Sequence, residues 1–326
     1  MKVAIVKLSA MGDIIQTAFV LQFLKEFYHD RIVIDWICEE VFAPILEDNP
    51  HINKIHKLDL KSIKNKKSNI FKEIKKVKQI SKENYDIIID FQGNIKSAIV
   101  SRLIGKDIYG FDKNSVREKP ASLLYKKGFD IPYHIDTMDR YRILVNKVFD
   151  INITKEQVLD KKPYLFYHDK GVVDEYFYHD RKNIVFIIGA SWDSKIYPKE
   201  LVQKVIDSID ANFIVPYSNK KEEDFVDSLS PVTKVKLNLD ELKSLISKAD
   251  LVIGNDTGPT YIAWANNIPS ITLFGPVPPN RVYETKINKL LKSPSKVNPY
   301  KLNRQDYSIK EIKPERIASL AKELLG

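Results

Sequence analysis

Apolar residues along this chain form short unbroken runs, separated by stretches in which they recur every three or four positions. That alternation is laid down twice. Residues 3–6 predict a buried strand, and Ile14, Ala18, Leu21, Leu24 and Phe27 after it predict a helix. Further strands are expected at 32–37, 54–58, 86–90 and 108–111, with helices over 70–80, 95–103 and 137–149 and an irregular basic stretch at 113–127. Strands alternating with helices imply a parallel sheet covered on both faces. The rhythm lapses over the polar and aromatic segment 150–183, then restarts with a strand at 183–189. Strands at 213–216, 234–237, 251–254 and 271–274 follow, with helices over 199–209, 222–229, 240–248 and 260–267, and an amphipathic helix, 314–325, closes the chain. The pattern predicts two α/β domains in tandem, and no repeat of solenoid period interrupts it.

In such sheets the loops at the carboxyl ends of the strands face the ligand crevice. The first of these loops holds Ser9, Ala10, Gly12 and the carboxylate of Asp13. Two readings of Asp13 are open: a cap of the helix that follows, or a group turned toward a ligand. In the second domain, the loop after the first strand offers Ser191, Ser194 and Lys195, a set suited to a diphosphate. The segment GNDTGP, residues 254–259, lies between a strand and a helix. Gly258 permits close backbone approach, Pro259 suits the first helical position, and the free amides there favour a phosphate oxygen. An ordinary loop capped by Asp256 or Thr257 is the alternative. No GxGxxG or Walker A sequence follows a strand, and neither a GxSxG elbow nor HExxH is present. The six histidines are scattered, so no metal set is expected.

Composition narrows the partners. Fifty-two Lys and Arg against 43 Asp and Glu give a net charge of +9, which points to an anionic partner. Eleven lysines and only two acids lie between Lys54 and Lys82. Part of that stretch, 70–80, keeps an apolar stripe and reads as a helix with a lysine-rich outer face. It is either a solvated surface or a contact for anionic lipid or substrate. Nucleic acid ranks below these, because no RNA-binding signature accompanies the charge. With no apolar run near ~18 residues and no secretory core at the start, a cytoplasmic protein is expected. The single cysteine, Cys38, sits in an apolar run and reads as a buried thiol.

The segments VKLSAMGDIIQT, IDWICEE, IIDFQGNIKSA, VREKPASLLY, ASWDSKIYP, GNDTGPTYIA and ITLFGP occur in order over residues 6–276. Together they resemble the ADP-heptose:lipopolysaccharide heptosyltransferases. IDWICEE and VREKPASLLY are most similar to the branch that adds the first heptose to Kdo. The resemblance implies a GT-B fold, with two Rossmann-like domains whose parallel sheets face a central cleft. Residues 1–160 would bind the acceptor and 161–310 the ADP-sugar, and the C-terminal helix, 311–326, would pack back on the first domain.

It also implies inversion at the anomeric carbon without metal or cofactor. Asp13 would then be the base that takes the proton of the attacking Kdo hydroxyl. Lys195 would balance charge on the departing ADP, aided by the amides of Thr257 and Gly258. Asp256 would bind the heptose, Glu222 the region of the ribose, and Arg117 with Lys61, Lys64, Lys66 and Lys67 the anionic groups of Kdo-lipid A. Two positions depart from the family: Tyr261 replaces its usual His, and Ser191 with Trp192 replaces its Thr pair, so donor contacts there are expected to differ. The implied location is cytoplasmic and peripheral, on the anionic inner face of the inner membrane. The implied alternatives are the second-heptose transferase and a non-catalytic protein that binds anionic lipid.

Overall fold

The computed structural model describes residues 1–65 and 69–326, the side chains at 64 and 65 excepted. The chain forms two compact units, Met1–Tyr164 and Leu165–Gly326.

The first unit holds β1 (Lys2–Val6), α1 (Met11–Ala18), α2 (Val20–Tyr28), β2 (Val33–Glu39), β3 (Lys54–Leu58), α3 (Ser62–Asn65), α4 (Asn69–Ile80), β4 (Ile87–Asp90), α5 (Ile95–Ile104), β5 (Ile108–Phe111), β6 (Lys127–Phe129), α6 (Thr137–Phe149) and α7 (Lys155–Leu159). Its six strands run parallel in the order β3-β2-β1-β4-β5-β6, with Val3 opposite Ile34 on one side and Ile87 on the other. Strand order therefore reverses between β1 and β4, and in open sheets the ligand crevice forms at that switch point. The predicted opening helix is split at Phe19, whose own backbone is helical (φ −57°, ψ −28°).

Right-handed crossovers put the connections on either side of the reversal on opposite faces. The packing agrees. Ala4, Val6, Ile37, Leu58, Ile88 and Ile108 share one core with Val77 and Ile80 of α4 and Val100 and Ile104 of α5. On the other face α6 packs with α1 and α2, where the rings of Tyr28 and Phe149 lie 5.8 Å apart. Helix α4 carries four lysines on a single apolar stripe, so its stability comes from burying that stripe rather than from propensity. Each fully buried aliphatic side chain there contributes roughly 1.5–3 kcal/mol.

Asp35 in β2 is inaccessible and accepts hydrogen bonds from Tyr85 Oη (2.7 Å) and Asn53 Nδ2 (2.8 Å), with His56 Nε2 at 3.5 Å. Burial pushes its pKa up, but the bonds from His56, Asn53 and Tyr85 outweigh that and hold it below the usual carboxylate value. Cys38 is buried as expected, and burial pushes its thiol up to about 12.

The second unit repeats the plan with β7 (Asn183–Ile187), α8 (Lys199–Asp207), β8 (Asn212–Tyr217), α9 (Lys220–Val226), β9 (Thr233–Lys236), α10 (Leu239–Lys248), β10 (Leu251–Asn255), α11 (Gly258–Ala265), β11 (Ser270–Phe274), β12 (Asn288–Lys292) and α12 (Pro314–Leu325). The strands run parallel in the order β12-β11-β10-β7-β8-β9, so the switch point lies between β7 and β10. Side-chain caps start its helices where the sequence supplies Asn: Asn219 accepts from Glu222 N, and Asn238 from Asp240 N and Glu241 N.

Two strands, β6 and β12, lay in segments read as irregular or left unassigned. The terminal helix packs within the second unit. The amphipathic face of α12 buries Ile317, Ala318 and Ala321 in the core of the second unit beside α8, because its apolar stripe completes the layer over β10 and β11. It belongs to that unit. Among the described residues, no helix is long and apolar enough to cross a membrane.

Candidate active site

The candidate side chains lie in loops at the carboxyl edge of each sheet, and each unit carries its own set. In the first unit α1 starts at Met11 after Ala10, which has no side chain able to cap it. Asp13 supplies the cap instead, its Oδ2 accepting the Ala10 N–H at 3.2 Å, and it remains half-buried rather than sealed. Both readings of Asp13 thus survive: the carboxylate is fixed by the start of the helix and still reachable. The preceding loop is tied down from several sides. Lys7 Nζ, buried, donates to Tyr141 Oη (2.8 Å) and the Phe91 carbonyl (3.2 Å), and Ser9 N donates to Gln92 Oε1 (3.1 Å) in the loop after β4.

That second loop turns on Asp90. Its carboxylate accepts from Gln92 N, Gly93 N, Ser97 Oγ and Tyr125 Oη, all within 2.8–3.1 Å. Burial pushes its pKa up despite these bonds. Enclosed by four donors and fully buried, Asp90 anchors the loop, whereas Asp13 is half-buried at the same switch point. Gly93 has φ +66°, and a Cβ there would lie 3.1 Å from Val116 Cγ2 and 3.5 Å from Arg117 N, so glycine lets the 115–117 backbone close on the loop.

Arg117 is exposed on a pinned segment. Asp112 Oδ1 accepts from Asn114 N, Ser115 N and Ser115 Oγ. Arg140 donates to the Ser115 carbonyl at 2.6 Å, and Glu118 N to the Gly93 carbonyl at 3.0 Å. Lys61 is also exposed at this edge, with Nζ 5.0 Å over the Phe42 ring. Two buried carboxylates hold its loop: Glu73 accepts from Asp59 N (2.8 Å) and Glu39 from Leu60 N (3.0 Å). Lys66 and Lys67 lie outside the described residues, as does the side chain of Lys64. Lys96 lies at the same edge, its Nζ reaching Glu39 at 2.6 Å from the first turn of α5. Nothing in a lone lysine on a predicted helix marks it out.

In the second unit the loops after β7 and β10 meet. Asn255, buried at the end of β10, donates to the Ile188 carbonyl (2.8 Å) and accepts from Tyr197 N (3.1 Å), which fixes the turn carrying Lys195. Lys195 Nζ lies 2.5 Å from Asp256 Oδ2, with both side chains almost wholly buried. Tyr261 Oη donates to the other carboxylate oxygen of Asp256. Burial would raise the pKa of Asp256, but the charges of Lys195 and Arg281, with the two hydrogen bonds, hold it below the usual carboxylate range. Arg281 is a participant that no motif announced, for it acts from a segment 25 residues further along the chain.

Thr257 precedes α11 without a side-chain cap, and Gly258 and Pro259 open the helix, so its first amides point into the loop region that Lys195 and Asp256 occupy. Gly254 is required beneath them. A Cβ there would lie 2.5 Å from Thr260 Oγ1 and 2.7 Å from Ile187 Cβ. Glu222, in the first turn of α9, accepts from Ser218 N (2.7 Å) and Ser218 Oγ (2.8 Å), and its carboxylate packs where a Gly189 Cβ would stand. Ser191 is exposed on the loop after β7. Beside it Trp192 gathers cations, with the Arg304 guanidinium 4.6 Å and Lys195 Nζ 5.5 Å from its ring. The structure therefore brings Lys195, Asp256 and Tyr261 into contact, sets Thr257 and Gly258 at the same helix start, and packs Glu222 against the β7 loop.

A buried acid neutralised by a lysine at the switch point, beside an uncapped helix start, suits a sugar joined to a diphosphate. The sequence model of glycosyltransferase family 9 (heptosyltransferase) matches residues 74–306. The chain belongs to this family. The lipopolysaccharide heptosyltransferase 1 of Campylobacter coli is 37% identical over an alignment that takes in all of this chain and 99% of that protein. Among solved structures, the E. coli heptosyltransferase WaaC with ADP superposes with a TM-score of 0.80 at 22% identity, covering 99% of this chain and all of that one. The same enzyme with ADP-2-deoxy-2-fluoro heptose gives 0.79. The fold is accordingly that of the GT-B heptosyltransferases, and this family 9 member is a glycosyltransferase of the heptosyltransferase I type.

Proposed function

We propose that this heptosyltransferase moves L-glycero-D-manno-heptose from ADP-heptose to Kdo of the lipopolysaccharide inner core, with inversion and without a metal or cofactor. The observation that carries the proposal is the full-length similarity to a lipopolysaccharide heptosyltransferase 1. The Lys195–Asp256 pair at the uncapped start of α11 supports the donor half. In this reading Asp13 takes the proton of the Kdo hydroxyl as its oxygen attacks the anomeric carbon. The bond from that carbon to the diphosphate oxygen breaks, and ADP leaves with its charge balanced by Lys195 and the amides of Thr257 and Gly258. Asp256 and Tyr261 hold the heptose, Ser191 the phosphates and Glu222 the ribose, while Arg117, Lys61 and the lysines at 64, 66 and 67 meet the anionic groups of Kdo-lipid A. The protein works in the cytoplasm, peripherally on the anionic inner face of the inner membrane.

The test is ADP release and product mass with ADP-heptose and Kdo-lipid A, with and without EDTA. The proposal expects one added heptose of inverted configuration and no effect of EDTA. No transfer by folded protein, or transfer only to an acceptor that already carries a heptose, would overturn it.

A further inference from the structure

Apolar side chains are exposed in unusual concentration on one face of the first unit. Of the seventeen large apolar residues exposed among the described ones, seven lie on α4, α5 and the 3-10 turn Lys119–Leu124. Along α5, Ile95, Ile99 and Leu103 are 42%, 47% and 54% exposed, while Ala98, Val100 and Ile104 face the sheet. Their i, i+4, i+8 spacing makes one outward stripe. Phe71 (76%) and Ile74 extend it on α4, and Leu123 (84%) on the turn. Helix α5 packs against both neighbours, so the three elements form a continuous surface. Single exposed apolar residues are ordinary, whereas a contiguous set marks a contact surface.

The rim of this surface is cationic. Lys72, Lys75 and Lys78 stand exposed on α4, and the one acid of that helix, Glu73, is buried and paired with Lys76. Two copies of such a face would bring like charges together, which disfavours self-association. An anionic bilayer complements both features: the aliphatic stripe enters the interface and the lysines meet lipid phosphates.

We propose that the outer face of α4, α5 and the 119–124 turn docks on an anionic lipid bilayer by insertion of Ile95, Ile99, Leu103, Phe71 and Leu123. The inference deepens the functional reading above and rests on it only for why docking matters. Ile95 opens α5 directly after the β4 loop, and its N–H donates to Glu118 Oε2 (2.9 Å) beside Arg117. The stripe therefore begins at the edge that carries Arg117 and runs roughly 12 Å along the helix to Leu103. A bilayer resting on it holds a lipid-linked sugar at that edge.

The experiment is sedimentation of the full chain with vesicles of phosphatidylglycerol and phosphatidylethanolamine, or of phosphatidylcholine alone, at low and high salt. An Ile99→Ser, Leu103→Ser, Leu123→Ser variant and a Lys72→Gln, Lys75→Gln, Lys78→Gln variant are compared with the parent. Unfolding curves and turnover on a short water-soluble Kdo acceptor serve as folding controls and should match the parent. The proposal expects the apolar variant to lose at least tenfold in affinity for anionic vesicles. The lysine variant should lose the salt-sensitive part. Vesicle binding by the apolar variant equal to the parent's would overturn it, as would a change confined to self-association. Failure of the soluble acceptor assay with vesicle binding intact would instead count against the heptosyltransfer reading and leave this surface standing.

Discussion

Replacing Asp256 by Asn separates the stabilising role of this buried carboxylate from the role proposed for it in donor binding. Asp256 is 5% exposed and lies 2.5 Å from Lys195 Nζ, with Arg281 also acting on it. Removing its charge leaves both cations uncompensated, and breaking a buried pair in this way costs about 3 kcal/mol or more. For a unit of this size each kcal/mol shifts the melting temperature by about 2–4 °C, so Asp256→Asn should melt roughly 6–12 °C lower. ADP should reverse the loss. A carboxylate held by Lys195 competes with a diphosphate for that lysine, and like charges about 5 Å apart repel by roughly 3 kcal/mol at an effective dielectric near 20. Even half of that is about a tenfold change in affinity. Asp256→Asn should therefore bind ADP about tenfold more tightly than the parent while turning over ADP-heptose more slowly. Melting curves with and without ADP, together with titration calorimetry, read both quantities. A variant that melts with the parent and binds ADP no more tightly would refute the argument that this carboxylate restrains Lys195.

Other consequences are equally direct. Gly254→Ala should destabilise the fold by about 1–3 kcal/mol, lower the melting temperature and weaken ADP binding, since its methyl would meet Thr260 Oγ1 and Ile187 beneath the start of α11; unchanged melting in calorimetry would contradict that packing. Burial lowers the Lys161 pKa to about 7. The unfolded chain thus binds more protons above that pH, so this group's contribution to stability rises by about 3 kcal/mol from pH 7 to 10. Lys161→Met should remove that rise in denaturant titrations, and an identical pH slope in parent and variant would count against it. Asp35 has the same sign in a lower pH range: its depressed pKa adds stability above the unfolded carboxylate value, which is lost as pH falls through the folded one. Tyr85→Phe should move the acid-unfolding midpoint to higher pH, and a midpoint at or below the parent's would be inconsistent with the Tyr85–Asp35 bond.

The central strands were legible because they are buried on both faces and read as unbroken apolar runs: residues 3–6, 86–90, 183–189 and 251–254 all belong to strands beside the switch points. Two outer strands were not. β6 carries Lys127 and Gly128 on an exposed edge, and β12 has two leucines between lysines, so neither shows an apolar run. The glycine and proline of residues 254–259 announced the turn into α11, because they answer to local backbone geometry. Contacts made across the sequence left no local mark. The approach of Arg281 to Asp256, the capture of Arg304 by Trp192 and the enclosure of Asp90 by Tyr125 all depend on how the loops fold together. The amphipathic face of α12 was legible for what it is: it shows that a helix packs, and not on which unit.

The central claim is that Asp13 removes the acceptor proton, and Asp13→Asn tests it most directly, because the amide keeps the shape of the side chain and loses the base. Single-turnover kinetics with ADP-heptose and Kdo-lipid A should show transfer slowed by about 10²–10⁴-fold, with the affinity for ADP-heptose unchanged. Transfer within threefold of the parent rate would mean that Asp13 serves only as the cap of α1.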